Sequence, residues 1–159
     1  MFRDPMQILL SVPAILLAIV LHELAHAVVA EKMGDPTPRS MGRITLNPLA
    51  HMDVLGMVAF LLIGFGWAKP VPVNPINFSD PKKDMTYVSV AGPLANMFLA
   101  LLSGILLRII NFGLFNFLPQ PVLEPFFHML VLSLQINIAL EFFNLLPLPP
   151  LDGSKILFG

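Results

Sequence analysis

Apolar residues occupy long continuous stretches of this chain, and most polar residues lie between them. A helix needs about 20 mostly apolar residues to cross a bilayer. Three stretches are long enough: Pro5 to Ala30, Thr86 to Leu107 and Pro125 to Leu146. The first is too long for a secretory signal peptide and lacks its basic run, so it is interpreted as a retained helix. The pattern predicts an all-α polytopic membrane protein with three full transmembrane helices.

A fourth apolar run, from Val54 to Ala68, covers only fifteen residues and is too short to cross a bilayer. It is interrupted by Gly56, Gly64 and Gly66. Irregular backbone at membrane depth is tolerated where it packs on protein or lines a cavity. We therefore predict a short re-entrant or interfacial hairpin between the first and second full spans.

The composition also indicates a membrane protein, since 56% of the 159 residues are hydrophobic and 12% are charged. The formal net charge of −1 argues against the basic surface of a nucleic-acid-binding protein, so no nucleic acid partner is expected. The absence of cysteine excludes disulfides, thiolate metal sites and cysteine nucleophiles. We interpret residues 1–159 as a single domain in a lipid bilayer.

The first predicted span contains the pentapeptide His22-Glu23-Leu24-Ala25-His26. Residues four apart lie on one face of a helix, so both imidazoles can bind one metal ion while Glu23 reaches a water molecule beside it. The alternative is that the histidines are hydrogen-bonded polar groups in a helix bundle. We favour a bound divalent cation, because ionisable side chains in a membrane helix are costly without a compensating partner.

A catalytic zinc site normally has three protein ligands, so a third ligand is needed. His51 and His128 are interpreted as hydrogen-bonding or interfacial residues, which leaves Glu141 and Asp152. Glu141 lies in an apolar helix, whereas Asp152 follows the prolines of residues 147–150, which forbid a regular helix. An unwound segment can direct a carboxylate where a rigid helix cannot, so Asp152 is favoured and Glu141 remains the alternative.

Basic residues are concentrated between the first and second full spans, at Lys32, Arg39, Arg43, Lys69, Lys82 and Lys83. The positive-inside rule places this region in the cytoplasm. If the Val54–Ala68 run turns back, the third span ends on the same membrane face as the first, and Asp152 can meet the histidines. We therefore expect an outside N-terminus and a site toward the cytoplasmic side, with His22 about 12 Å below that surface.

Two motifs together resemble the site-2 protease family of intramembrane metalloproteases. They are His22-Glu-Leu-Ala-His26 and Asn144-Leu-Leu-Pro-Leu-Pro-Pro-Leu-Asp152-Gly153. Ala91-Gly-Pro-Leu-Ala-Asn96 and the segment from Gly64 to Asn74 also resemble motifs of that family. The resemblance covers most of the chain, and the motifs follow one another in the expected order.

By this resemblance, His22, His26 and Asp152 bind one catalytic Zn²⁺ ion, Glu23 is the general acid/base, and Asn144 lies near the substrate carbonyl. The implied substrates are transmembrane proteins cleaved in or near their membrane segments. The sequence is similar to the compact bacterial and archaeal members without PDZ or regulatory domains, so a multi-pass protein of a bacterial or archaeal cell membrane is expected. It stops at Gly159, seven residues after Asp152, where the family usually continues, which leaves a C-terminal truncation open.

Two segments near the membrane surface show features of short β-strands. Residues 43–47 alternate in strand fashion, and in residues 69–74 two prolines lack donors while Val71 and Val73 keep their N–H groups. These segments predict short strands with an edge to which an unwound substrate adds. An ordinary proline-rich loop is the alternative for residues 69–74.

The helix from Thr86 carries small and polar residues at near-helical spacing, a pattern that favours close helix packing. They are Ser89, Gly92, Asn96, Ala100, Ser103 and Gly104. Asn96 is also a candidate for lining the site.

The competing interpretation of the chain is a membrane metal transporter or metal-sensing protein. Its transit or sensory site is formed by His22, His26, Glu141 and Asp152. That interpretation explains the buried ligands but gives Glu23 no role.

Overall fold

A computed structural model describes residues 5–63, 66–115 and 117–158. This part of the chain forms six α-helices: α1 Pro5–Lys32, α2 Thr37–Ser40, α3 Val54–Ile63, α4 Pro81–Asn111, α5 Gln120–Asn144 and α6 Asp152–Phe158. Short 3-10 turns lie at Pro48–Ala50 and Pro75–Asn77.

The three predicted spans are confirmed as long helices: α1, α4 and α5 are each long and apolar enough to cross a membrane. Helix α4 begins five residues before the predicted start, at Pro81. A reciprocal cap explains this earlier start, because the Asp80 side chain accepts the Lys83 backbone N–H and the Asp84 side chain accepts the Asp80 N–H. The long apolar helices, with the membrane composition, indicate a multi-pass membrane protein.

Helices α1, α4 and α5 pack against one another, and α6 packs on α4. The buried face of α1 consists largely of small side chains, including Ala18, Ala27 and Ala30, each of which is fully buried. Large apolar side chains such as Phe98 and Leu101 on α4 point outward instead. Small residues at the contact let the helix backbones approach closely. The bundle therefore holds α1 tightly against α4 at the depth of the two histidines.

The two ends of the predicted hairpin lie side by side. Met52 and Ala68 form an isolated antiparallel bridge, and the Lys69 N–H donates to the His51 carbonyl at 2.9 Å. Gly56 in α3 allows this approach, because a Cβ at that position would overlap the backbone of Trp67. Residues 64 and 65, which belong to the predicted hairpin, lie outside the described residues. The run thus returns to its starting level, as the convergence of Asp152 with the histidines requires.

The short β-strands expected at residues 43–47 and 69–74 are not found in the described part of the chain. The isolated Met52–Ala68 bridge is the pairing observed near them. Residues 44–46 form a bend, and in residues 69–74 Pro70 and Pro72 cannot donate to a ladder. The Val71 N–H is bound to a side chain instead. The segment has no partner strand in the part of the chain that the structure describes.

Candidate metal centre

Three potential metal ligands meet between α1 and α6. His22 and His26 lie one turn apart on α1, and Asp152 is the first residue of α6. The Asp152 Oδ2 atom lies 3.1 Å from the Nε2 atom of each histidine, and the two Nε2 atoms are 3.0 Å apart. All three side chains are buried. The structure thus brings together the two halves of the predicted site, 126 residues apart in the chain.

The number of protons available to the three facing atoms indicates that a cation binds between them. The Nδ1 atom of His26 lies 2.6 Å from the Val88 carbonyl oxygen, which can only accept, so Nδ1 carries the proton. In the neutral ring the Nε2 lone pair then faces both the Asp152 carboxylate oxygen and His22. A single proton between two of these atoms satisfies one pair, whereas one cation satisfies all three.

The spacing of the three donor atoms also suits zinc. Ligand bonds of about 2.0–2.1 Å in tetrahedral geometry set neighbouring donor atoms about 3.3 Å apart. The observed separations of 3.0–3.1 Å are close to that value. Two imidazoles and one carboxylate, with a fourth position left for water, are a ligand set of catalytic zinc sites. The residues present therefore fit one zinc ion.

The position of Asp152 follows from the chain between α5 and α6. Helix α5 ends at Asn144, and the proline-rich residues that follow are not helical, as predicted. At Gly153, a Cβ would overlap the carbonyl oxygens of Leu145 and Leu146. Because glycine has no Cβ, the first turn of α6 packs directly on this backbone and directs the Asp152 carboxylate at α1.

Gly92 of α4 makes room for the histidines. A Cβ at this position would overlap the His26 Nε2 atom and the Nε2 and Cε1 atoms of His22. From the sequence, Gly92 was expected only to permit close helix packing. The sequence signal for this second role was the position of Gly92 in the Ala91–Asn96 motif. The close approach of two imidazoles requires a glycine there.

Replacing Gly92 with alanine is expected to displace one or both imidazoles and to weaken zinc binding by about tenfold or more, since small misplacements of reacting groups are costly. Gly104→Ala is the matched control, because Gly104 lies on the same helix and a Cβ there meets nothing within 4 Å. Chelator competition on both purified variants measures the effect. Equal zinc affinities for the two variants would contradict this role of Gly92.

Glu23 lies next to the triangle but outside it. Its side chain is buried, and its Oε2 atom accepts the Val71 backbone N–H at 2.9 Å. The Glu23 carboxylate is close enough to interact electrostatically with His26 and with Arg43. Burial lowers the pKa of the Arg43 guanidinium, and the Glu23 carboxylate opposes part of that shift. The contact with Val71 corrects the expectation that both valine N–H groups of the 69–74 segment are available to a substrate.

Buried charged side chains anchor both ends of the segment that carries Val71. The Arg43 guanidinium donates to the Lys69 carbonyl at one end. At the other end, the Asp35 carboxylate accepts the Asn74 N–H and the Asn77 side-chain amide, each at 2.7 Å. Burial raises the pKa of Asp35, but its hydrogen bonds outweigh that effect and hold the pKa below its usual value. Sequence reasoning missed both anchors, because each contact joins residues distant in the chain.

The remaining sequence candidates lie away from the triangle. Glu141 lines a cavity of about 480 Å³ between α4 and α5 with Arg108, and it is not part of the metal-ligand group. The side-chain amide of Asn144 donates to the Leu140 carbonyl of its own helix at 3.0 Å.

His51 is fully buried with its Nε2 atom 2.9 Å from the Thr45 carbonyl, and His128 is exposed. The interpretation of these two histidines as hydrogen-bonding or interfacial residues agrees with their positions.

Comparison with known proteins gives related sequences. The family model of "Peptidase family M50" matches residues 123–159. "Putative zinc metalloprotease YwhC" of Bacillus subtilis is 43% identical over 90% of this chain and 65% of its own length. A Methanocaldococcus jannaschii protein that also carries the name of a putative zinc metalloprotease is 30% identical over 94% of this chain and 69% of its own length.

A third relative, "Putative zinc metalloprotease Rip2" of Mycolicibacterium smegmatis, is 29% identical over 89% of this chain and 53% of its own length. The chain thus spans 65% and 53% of the YwhC and Rip2 sequences. No solved structure matches the chain.

Proposed function

Because this chain belongs to peptidase family M50, the site-2 protease family that its motifs resemble, we propose that it is an intramembrane zinc endopeptidase. Its substrates are membrane proteins, cleaved at peptide bonds in or near their transmembrane segments. The observation that carries the proposal is the buried triangle of His22, His26 and Asp152 with the Glu23 carboxylate beside it. A membrane metal transporter needs the triangle but not the adjacent carboxylate.

His22, His26 and Asp152 would hold one zinc ion, which would supply Lewis-acid chemistry toward water and the peptide carbonyl. Glu23 takes the proton of the attacking water and delivers it to the departing amine. The low exposure of Glu23 keeps competing water away from this transfer, and the Val71 N–H fixes one carboxylate oxygen so that the other is available to the water.

Asn144 is proposed to stabilise the oxyanion that develops on the substrate carbonyl. Its side-chain amide is turned toward the Leu140 carbonyl, so this role requires a rotation of the side chain when substrate binds. Its position at the C-terminal end of α5, directly before the non-helical segment that leads to Asp152, supports such a movement.

The 69–73 segment is proposed to bind the unwound substrate. A transmembrane helix hides its backbone in its own hydrogen bonds, so cleavage requires a partner for the exposed strand. The Val71 N–H is engaged by Glu23, whereas the Val73 N–H has no hydrogen-bond partner among the described residues. The two backbone N–H groups therefore have different roles: that of Val71 positions the Glu23 base, and that of Val73 is available to bind the substrate.

This division predicts different kinetic effects for two proline variants. Val71→Pro removes a donor to a carboxylate and is expected to lower kcat about tenfold with zinc still bound. Val73→Pro is expected to raise KM with little change in kcat, because it removes a donor used only for binding. Val73→Ala keeps the N–H and controls for the packing of the valine side chain near Ala30 and Phe78. An unchanged KM in Val73→Pro would refute strand addition, and an unchanged kcat in Val71→Pro would refute the positioning role.

The proposed location is a bacterial or archaeal cell membrane with the site toward the cytoplasm. The support is the concentration of basic residues in the connection between α1 and α4, including Lys32, Lys82 and Lys83 next to the helix ends. The adjacent ends of the Val54–Ala68 run also support a connection that stays on one side.

The purified full chain in proteoliposomes tests the enzyme against the transporter. The proposal predicts that a co-reconstituted single-span peptide is cleaved, that a zinc chelator stops cleavage and that added zinc restores it. The same vesicles, loaded with a zinc-sensitive dye, measure metal transport. Zinc entry above that of protein-free vesicles, without peptide cleavage, would favour a transporter and overturn the proposal.

A further inference from the structure

The two histidines of the triangle differ in what orients them. The Nδ1–H group of His26 donates to the Val88 carbonyl. The Nδ1 atom of His22 is buried and has no hydrogen-bond partner among the described residues. Metal-binding histidines almost always donate their second ring N–H to an oxygen, which fixes the tautomer and the ring orientation. An oxygen that serves His22 therefore needs to be found.

The alignment of α1 with α4 places Asn96 near the level of His22. Val88 of α4 contacts His26, and Gly92, one turn further along α4, lies against both His22 and His26. Later residues of α4 therefore contact earlier residues of α1, so the two helices run antiparallel. The next turn of α4 brings Asn96 between the level of His22 and the turn before it on α1.

The side chains of His22 and Asn96 lean toward one another along the two helices. Ala18, one turn before His22 on α1, is small and fully buried. Helical side chains lean toward the N-terminus of their own helix. Because α1 and α4 are antiparallel, His22 leans toward the level of Asn96, and Asn96 leans toward the level of His22.

Asn96 itself lacks the partners that a buried amide requires. Its side chain is 0% exposed, and both Oδ1 and Nδ2 are without a hydrogen-bond partner among the described residues. Leaving buried polar atoms unpaired is costly, and such atoms are usually satisfied by protein groups or by buried water. A water molecule between Asn96 and His22 has the two or more polar partners that buried water requires.

Two other buried oxygens without partners fit less well. Ser89 Oγ lies about one turn before Gly92 on α4. The His22 side chain leans in the opposite direction, toward Asn96. Asn137 Oδ1 lies on α5, where its neighbour Ser133 pairs with Ser103 of α4. Ser103 lies about two turns beyond Asn96 on α4, and the Asn137 side-chain amide is held toward that level because it donates to Ser133.

We propose that Asn96 is a positioning residue for the metal site: the Nδ1–H of His22 donates to one buried water molecule, which donates to the side-chain oxygen of Asn96. This bridge holds the His22 Nε2 atom toward His26 and Asp152. This inference rests on the proposed zinc site. The Val88 carbonyl then orients His26 directly, and the Asn96 amide, two turns further along the same helix, orients His22 through water.

Zinc affinity of the purified full chain, measured by chelator competition, tests the role without relying on catalysis. Asn96→Leu keeps a similar volume but cannot hydrogen-bond, and it is expected to weaken zinc binding by about 10–100-fold. Asn96→Asp keeps an acceptor and is expected to restore affinity to within about threefold of the unaltered chain. Ser89→Ala removes another buried, unpartnered oxygen from α4 and is expected to bind zinc normally.

The melting temperature of each zinc-free variant separates positioning from packing. The proposal predicts that Asn96→Leu melts at or above the temperature of the unaltered zinc-free chain, because a buried unpaired amide has been removed. Zinc affinity unchanged in Asn96→Leu, or lowered equally in Asn96→Leu and Ser89→Ala, would overturn the proposal. If Asn96→Asp does not fold, the comparison of Asn96→Leu with Ser89→Ala decides it alone. If the unaltered chain binds no zinc, the proposed metal site fails and not merely the role of Asn96.

Discussion

Replacing Glu23 by glutamine is expected to lower the rate of peptide cleavage by about 10²–10⁴-fold, the usual contribution of a general base, while zinc stays bound. Glutamine keeps the size of the side chain and an oxygen that can accept the Val71 N–H. It cannot take a proton from water at neutral pH. Because Glu23 is outside the ligand triangle, zinc affinity is expected to change far less than cleavage. Cleavage of a single-span peptide and zinc content are measured on the same preparation.

Glu31→Gln is the matched control for this substitution. Glu31 lies on the same helix, two turns beyond Glu23, and pairs with Arg39 on the surface of the protein. Its loss is expected to leave both cleavage and zinc content near those of the unaltered chain. Retained cleavage in Glu23→Gln would remove Glu23 from the mechanism. Loss of zinc in Glu23→Gln would instead place the carboxylate among the ligands.

Replacing Asp152 by asparagine is expected to reduce zinc affinity by more than the roughly 10–100-fold that the loss of an outer partner costs. The carboxylate supplies the negative charge among the three donors, and its Oδ2 atom contacts both histidines at 3.1 Å. Asparagine is nearly isosteric but neutral. Chelator competition measures the affinity, and cleavage activity is expected to fall with zinc occupancy.

Glu141→Gln distinguishes the two carboxylates that the sequence left as candidates. In the structure, Glu141 lines the cavity between α4 and α5 and is separate from the triangle. Its substitution is expected to leave zinc affinity unchanged. If Glu141→Gln loses zinc while Asp152→Asn keeps it, the third ligand has been assigned to the wrong residue.

The sequence was sufficient for the parts of the structure that depend on local composition. The three long helices follow from stretches of apolar residues, and the non-helical segment before Asp152 follows from its prolines. The adjacent ends of the Val54–Ala68 run were inferred because a crossing would separate Asp152 from His26. These inferences used length, hydropathy and the limits that proline places on a helix, all of which can be read along the chain.

The details around the metal centre could not be predicted in this way because they are set by tertiary contacts. The contact of Val71 with Glu23 joins residues 48 positions apart, and an alternating pattern alone suggested a β-strand. The same holds for Gly92, whose small size is explained by two imidazoles on another helix. The earlier start of α4 has a local cause and not a tertiary one. The Asp80 cap was visible in the sequence, but it lies outside the apolar stretch used to locate the span.

The most direct test of the metal site is X-ray absorption spectroscopy at the zinc edge on the purified full chain, with metal analysis of the same sample. We expect one zinc ion per chain, with two imidazole nitrogens and oxygen donors at about 2.0–2.2 Å. A chain that binds no zinc, or that binds zinc without scattering from two imidazoles, would contradict the assignment of His22, His26 and Asp152 as its ligands.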